Sequence, residues 1–333
     1  YKQIKARQQT TADGSWLLRP DVGARRMGVQ GHRVMMTWLM HHVLPTAGTP
    51  DDGVRQHFAS KYSQAKLFTS QNIVCASTSQ RFTCFAWSQG LKSYTGYIAP
   101  TATEAGDHSP EQTNNIIVPF RRNNTGNFLG WYDVEGRKAN AVPVVSGRYR
   151  LEGNAWLMNG ELQTNDDALN HRFAIYSTPG NAVVYMDYVR ANAACTITAA
   201  RGGLMAVSMD EMTRQRRTLF SAPPGPGAGP CAEVQTDGSD LATFSGPWLN
   251  VDHVFGIVVP PCDQPSAASA RSGFAFGERA NNNSVLTARL YAAYSDERRP
   301  VAEGDVVDCR AIAYYSNVSA GTTARLWALA RRL

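Results

Sequence analysis

Residues 180–199 read GNAVVYMDYVRANAACTITA, and they set the class of the whole chain. The run 182–190 is rich in Val and Tyr, the run 195–199 carries Thr and Ile, and a short Ala/Asn turn parts them. β-Branched and aromatic side chains suit a pleated, half-buried surface, so two such runs at close spacing read as strands joined by a turn. The same texture recurs in both directions. Upstream lie runs 73–77, 82–87, 94–98, 115–120, 128–134, 148–157 and 172–177, and downstream 205–209, 217–220, 248–251, 254–259, 284–294, 305–315 and 325–329. Many short strands between Gly, Asn and Pro turns predict a mainly β protein, a large antiparallel β-sandwich over residues 58–333. Residues 222–230, with four Pro and three Gly, read as a surface loop.

The N-terminal end has another period. Within residues 20–44, Met27, Val34, Met35, Trp38, Leu39 and His42 fall near one helical face, with Pro20 near the start and Pro45 as a stop. Gly23, Gly28 and Gly31 weaken its first half. A second short helix is expected over residues 53–67. Residues 1–57 are therefore expected to form a short α-helical segment preceding the sandwich, and 333 residues suffice for one large domain with such an appendage.

Composition narrows the compartment and the partner. The chain opens on Tyr1 with no charged-then-apolar leader, and no apolar run approaches a membrane span, so a soluble protein with no membrane partner is expected. Six cysteines without a Cys-x-x-Cys spacing disfavour a zinc knuckle and favour disulfides, hence a secreted chain. Sequons at Asn123, Asn282 and Asn317 agree with that reading. Cys75 and Cys84 are symmetrical about the 79–80 bond, so a hairpin turning there sets them opposite each other at disulfide distance. Proximity alone then prefers Cys231 with Cys262 and Cys195 with Cys309. The formal charge is +6, and 27 of the 33 basic residues are Arg. Guanidinium forks suit the carboxylates or sulfates of an acidic polysaccharide, and an Arg-biased genome is the competing explanation. Scattered among 27 acids, these arginines form no basic block, so no nucleic-acid partner is expected. No metal ligands and no cofactor are assigned from the sequence, and the missing nucleotide-binding and serine-hydrolase motifs argue against those two classes.

Three groups of residues could carry function. Residues 123–140, NNTGNFLGWYDVEGRKAN, place Trp131, Tyr132, Asp133 and Glu135 beside turn-forming residues, a mix suited to stacking on sugar rings and bonding their hydroxyls. Strand alternation puts Trp131, Asp133 and Glu135 on one face and Tyr132 on the other; an ordinary hairpin with charged tips is the competing reading. On the N-terminal helix, His41 and His42 diverge by about 100°, which excludes an i, i+4 metal pair but leaves either free to act as a base. Elimination from a uronate needs such a base and a cation for the developing negative charge, roles open to His41 or His42 and to Arg137. Finally, His171 and Tyr185, with Asp187 and Tyr188, lie on or beside neighbouring strands and can form a second polar, substrate-binding cluster.

The strings of residues 180–198, of 246–259 (GPWLNVDHVFGIVV) and of 304–317 (GDVVDCRAIAYYSN) resemble the large β-sandwiches, supersandwich-like, that follow helical toroids in secreted polysaccharide lyases and related carbohydrate-active proteins. Residues 24–45 are similar to the last helix of such a toroid. The resemblance implies part of a secreted carbohydrate-active protein, acting on an acidic polysaccharide by lyase or hydrolase chemistry, with an N-terminal helical part or another chain as partner. A non-catalytic glycan-binding or structural sandwich module is the alternative.

Overall fold

The structure, a computed structural model, describes residues 65–68, 73–77, 82–86, 96–98, 117–118, 131–136, 141–151, 155–164, 168–209, 216–223, 231–260, 273–282 and 285–331. The helical segment expected over residues 1–57, His41 and His42 within it, and Arg137 lie outside the described residues.

Every described strand pairing is antiparallel. A small four-stranded sheet comes first, built in sequence order from β1 (Ala65–Phe68), β2 (Ile73–Ser77), β3 (Phe82–Ala86) and β4 (Gly96–Ile98). Its β2–β3 register sets Cys75 opposite Cys84, as the symmetrical spacing requires. Residues 65–67, expected at the end of a short helix, are part of strand β1.

Next in sequence are β5 (Ile117–Val118), β6 (Trp131–Val134), β7 (Ala141–Arg150), β8 (Trp156–Thr164), β9 (Leu169–Ser177), β10 (Ala182–Ala191) and β11 (Cys195–Ser208). Then come β12 (Arg217–Ser221), β13 (Ala232–Thr236), β14 (Ala242–Phe244), β15 (Trp248–Val251) and β16 (Phe255–Val258). The last strands are β17 (Gly273–Asn282), β18 (Val285–Ser295), β19 (Arg299–Val301) and β20 (Val306–Ser316). A nine-stranded sheet runs β13-β12-β15-β16-β20-β10-β9-β8-β7. Pro143, which cannot donate to a ladder, sits on its edge strand β7. The facing sheet holds β14, β17, β18, β11 and β19, with β5 and β6 also paired to β11.

Alternation explains how the sheets pack. Inward residues of β9 and β10 are buried at every second position. Phe173, Ile175, Val183, Tyr185, Met205, Val207, Phe274, Leu290 and Ile312 belong to one apolar cluster, into which Val74 of the small sheet also packs. A second cluster, with Leu169, Val189, Ile197, Val301 and Val307, continues the interior toward the other end.

β11 is the spine of its sheet. Ala200 and Arg201 pair with both β6 and β18, and Ile197 pairs with both β6 and β19, so β18 and β19 lie end to end along one edge of β11 and β6 along the other. Ala206 and Val207 likewise pair with both β5 and β18, which puts β5 on the edge of β6. The sequence reads as two strands here, 195–199 and 205–209, because Gly202 and Gly203 look like a break. They are instead part of one 14-residue strand. Cβ atoms added to both would meet interior groups, Tyr132 Oη at 3.1 Å from position 202 and Ile312 Cδ1 at 2.6 Å from position 203. Gly203, at φ +59°, thus reverses the alternation, an option that costs glycine nothing.

Two further expectations are corrected. The run 148–157 is two strands, the end of β7 and the start of β8, whose similar textures hide the break between them. The run 325–329, expected as a strand, lies in a C-terminal helix, α1 (Ala320–Ala330), the helix that the described residues contain. Ser319 caps it by accepting from Thr322 N at 3.2 Å. Ala320, Ala324 and Trp327, at helical spacing, pack with Phe220, Trp248 and Val258 on the outer face of the nine-stranded sheet.

Candidate functional site

β6 behaves as alternation requires: Tyr132 and Val134 are buried, Asp133 is half-buried and Glu135 is exposed. Trp131 stands opposite Arg201 of β11, and Arg201 stands opposite Tyr294 of β18, so the three form one cross-strand row. Around that row the outer face is a chain of arginines, tyrosines and acids. The Arg201 guanidinium lies 3.9 Å from the centre of the Tyr294 ring and donates to the carbonyls of Ala200 and Ser295, both at 2.9 Å, and to Asp296. Tyr294 Oη also donates to Asp296, at 2.6 Å. Further along β18, Tyr291 donates to Glu278 at 2.6 Å, and Arg289 pairs with the same carboxylate. Burial opposes ionisation of Glu278, but the bonds from Tyr291 and Arg289 hold its carboxyl below the usual value. Burial and the bond to Asp296 push the Tyr294 phenol up to about 12. At the rim, Glu135 pairs with Arg298, both exposed.

The two polar groups that the sequence treats as separate, Tyr132 on one strand and His171, Tyr185 and Asp187 on others, meet inside the molecule. Tyr132 reaches from β6 across the interior and donates to Asp308 of β20 and, at 3.2 Å, to Asp187 of β10. His171 Nε2 hydrogen-bonds Asp187 Oδ1, and Tyr185 also bonds Asp187. Arg310 Nε donates to Asp308 Oδ1 at 2.8 Å and Arg310 Nη1 to the Ala292 carbonyl at 3.5 Å. His171 is 4%, Asp187 2%, Asp308 0% and Arg310 6% exposed, so a polymer cannot reach them in this state. The layer divides the two apolar clusters: on β9, His171 falls between Leu169 and Phe173, and on β10, Asp187 falls between Tyr185 and Val189. Burial, then the charges on Asp187 and Asp308, push the Tyr132 phenol well above its ordinary value, and burial and Asp187 do the same to Tyr185. Burial works against the Arg310 charge, yet Asp308 holds its guanidinium above the ordinary value.

Of the expected site residues, then, the structure brings together Tyr132, His171 and Tyr185 as interior groups. Asp133 and Glu135 lie at the rim of the other sheet, and Trp131 is placed there by register alone. Asp308, Arg310, Arg201 and Tyr294 were not singled out in the sequence. Asp308 and Arg310 carry a signal, two charges at alternate positions of an otherwise apolar strand, VVDCRAIAYYS. Arg201 carries none, because its outward position depends on the reversal at Gly203.

Among the described residues no group of three His, Cys, Asp or Glu side chains converges as a metal site would. No disulfide joins Cys195 to Cys309, which lie in facing sheets opposite Val301 and Tyr188 respectively, and Cys231 is an exposed free thiol. Cys262 and the side chains of Cys75 and Cys84 lie outside what is described.

No protein-family model and no curated protein matches the sequence. Solved structures match by fold. The galactosidase domain of the alpha-galactosidase-sucrose kinase AgaSK superposes with a TM-score of 0.52 at 9% identity, over 77% of this chain and 42% of that one. The heparan sulfate lyase HepC from Pedobacter heparinus gives 0.41 at 9% identity, over 92% and 44% of the two chains. Heparinase III gives 0.40 at 12%, over 78% and 38%. This chain spans less than half the length of each, and at such identity the likeness to the AgaSK domain is one of fold.

Proposed function

We propose that this chain is the β-sandwich part of a secreted carbohydrate-active protein whose partner is an acidic polysaccharide, and that the sandwich holds the glycan rather than breaking it. One observation carries this reading. The polar cluster suited to proton transfer, His171, Asp187, Tyr132 and Tyr185, is closed inside the fold, and the exposed His253 is engaged by the Ala320 N–H at the start of α1, whereas Arg201, Tyr294, Glu135 and Arg298 form a partly exposed rim along the Trp131 strand. Exposed ion pairs such as Arg298 with Glu135 are worth at most about 1 kcal/mol, so a uronate carboxylate can exchange for the protein's own. The shared fold with a galactosidase domain supports the carbohydrate assignment. The sequons support secretion, and bond cleavage by lyase or hydrolase chemistry belongs to a partner chain, with His41, His42 and Arg137 as the groups of this chain to test against that assignment.

Calorimetry of the full chain against a panel of uronic-acid polysaccharides tests the proposal, with ultraviolet absorbance reporting any unsaturated product. Binding without turnover is expected, and Trp131→Ala weakens it by roughly 1 to 3 kcal/mol with the fold intact. Turnover by this chain alone, lost in His41→Ala or His42→Ala, moves the chemistry onto the chain and overturns the holding role.

A further inference from the structure

The outer face of the nine-stranded sheet is covered unevenly. Helix α1 lies over β15 and β16, while the half formed by β7 to β10 is left with exposed Tyr149, Met186 and Tyr188. The register sorts this half into three parallel rows. Tyr149, Leu157, Tyr176 and Val184 form an apolar row that runs on into the residues beneath α1. Gly147, Asn159, Ala174 and Met186 form the middle row, where Gly147 and Ala174 keep the relief low beside the exposed Asn159 and Met186. Glu161, Arg172 and Tyr188 form a polar row. Successive rows on one face lie about 6.8 Å apart, so the middle row is the floor of a shallow trough crossing the strands, with aromatic rings on one side and charge on the other.

From this arrangement we infer that the trough is a second glycan-binding platform, for an extended chain of sugar rings carrying carboxylates, on the sheet opposite the Trp131 rim; it rests on the carbohydrate reading given above. The Tyr149 ring and the Asn159 amide fill the space that a Cβ at Gly147 would take, with Tyr149 Cε2 2.8 Å from that position. The ring thus leans over the glycine against the sheet, and it is 55% exposed, which suits stacking on the apolar face of a pyranose. Tyr176 stands two strands away in the same row, about 9.5 Å, roughly the length of a disaccharide in an extended glycan. Asn159, Glu161 and Arg172, all exposed, offer donors and acceptors to hydroxyls, and Arg172 a fork for a carboxylate. A protein partner is the less suited occupant, because protein hot spots seat protruding side chains in pockets, and this face offers a leaning ring above a low floor.

Affinity electrophoresis of the full chain in gels containing polygalacturonate or heparan sulfate tests the platform, with thermal melting as a check on folding and light scattering on association. Tyr149→Ala and Arg172→Gln each weaken retention about tenfold with unchanged melting. Gly147→Ala, which displaces the ring without removing it, weakens it as well. Retention that falls in Trp131→Ala but survives Tyr149→Ala and Arg172→Gln overturns the platform and leaves the rim standing. A wild-type chain retained by neither polymer overturns both. Tyr149→Ala that abolishes self-association without touching retention assigns the face to a protein contact, and overturns the platform too.

Discussion

Tyr132 carries a hydroxyl from one sheet into the carboxylates of the other. Its loss leaves Asp187 and Asp308 each short of a donor in a closed interior, so Tyr132→Phe is expected to destabilise the fold by about 1 to 3 kcal/mol in urea unfolding at neutral pH. The pH dependence has a definite sign. The folded chain keeps the Tyr132 and Tyr185 protons beyond the ordinary phenol value of 10.0, while an unfolded chain releases them there. Above that pH the unfolded state binds fewer protons, and stability falls as pH rises. Tyr294, pushed up to about 12, adds a smaller fall of the same sign between its ordinary 10.0 and that value. Tyr132→Phe should therefore unfold less steeply in alkali than the wild type, and equal alkaline slopes would count against the assignment. At this scale the sequence was half legible. Tyr185 and Asp187 are two apart on one strand and were read together, but their meeting with Tyr132 is a contact between sheets that no local pattern encodes.

Strands were legible where one face or both are buried. β9 and β10 match their sequence readings because period-two burial and β-branched residues coincide in them, and β16 and β20, more fully buried, match because they are largely apolar runs bounded by turns. β13 and β17 were missed; the first, AEVQT, is largely exposed, and the second, GFAFGERANN, turns polar halfway. α1 was misread because Arg325 to Leu329, taken alone, is a short apolar run that fits a buried strand as well as a helix, and only Ser319 before it marks a helix start. Two expectations follow for single elements. Gly203→Ala places a methyl 2.9 Å from Ala292 Cβ and forces a left-handed backbone on alanine, so a loss of roughly 2 to 4 kcal/mol in thermal or urea unfolding is expected. Gly136, at φ +73° with nothing within 4 Å of an added Cβ, pays only the backbone cost, about 1 to 2 kcal/mol. In the β2–β3 hairpin, the Cys75 and Cys84 register supports a bridge. Non-reduced peptide mapping should recover the two cysteines joined; two separately alkylated peptides, from protein never exposed to reductant, would remove the bridge and weaken the case for secretion.

At the scale of the molecule, fold class was readable from texture alone, since many short strands without crossover helices leave few architectures but an antiparallel sandwich. The pairing of the two sheets was not, because strands distant in sequence, such as β6 and β18, meet on β11 by a register that local spacing does not contain. The part of the AgaSK galactosidase domain that this chain matches is 42% of that chain, so the matched fold is there one part of a longer chain. The edges of β11 have one more consequence. β18 ends at Ser295 and β19 begins at Arg299 along one edge, so residues 296–298 interrupt a partner strand without interrupting the spine. Chain can be added or removed there while every ladder on β11 keeps its register. That seam is where such a sandwich can acquire a new loop over evolutionary time, or accept a grafted peptide in the laboratory, without being redesigned.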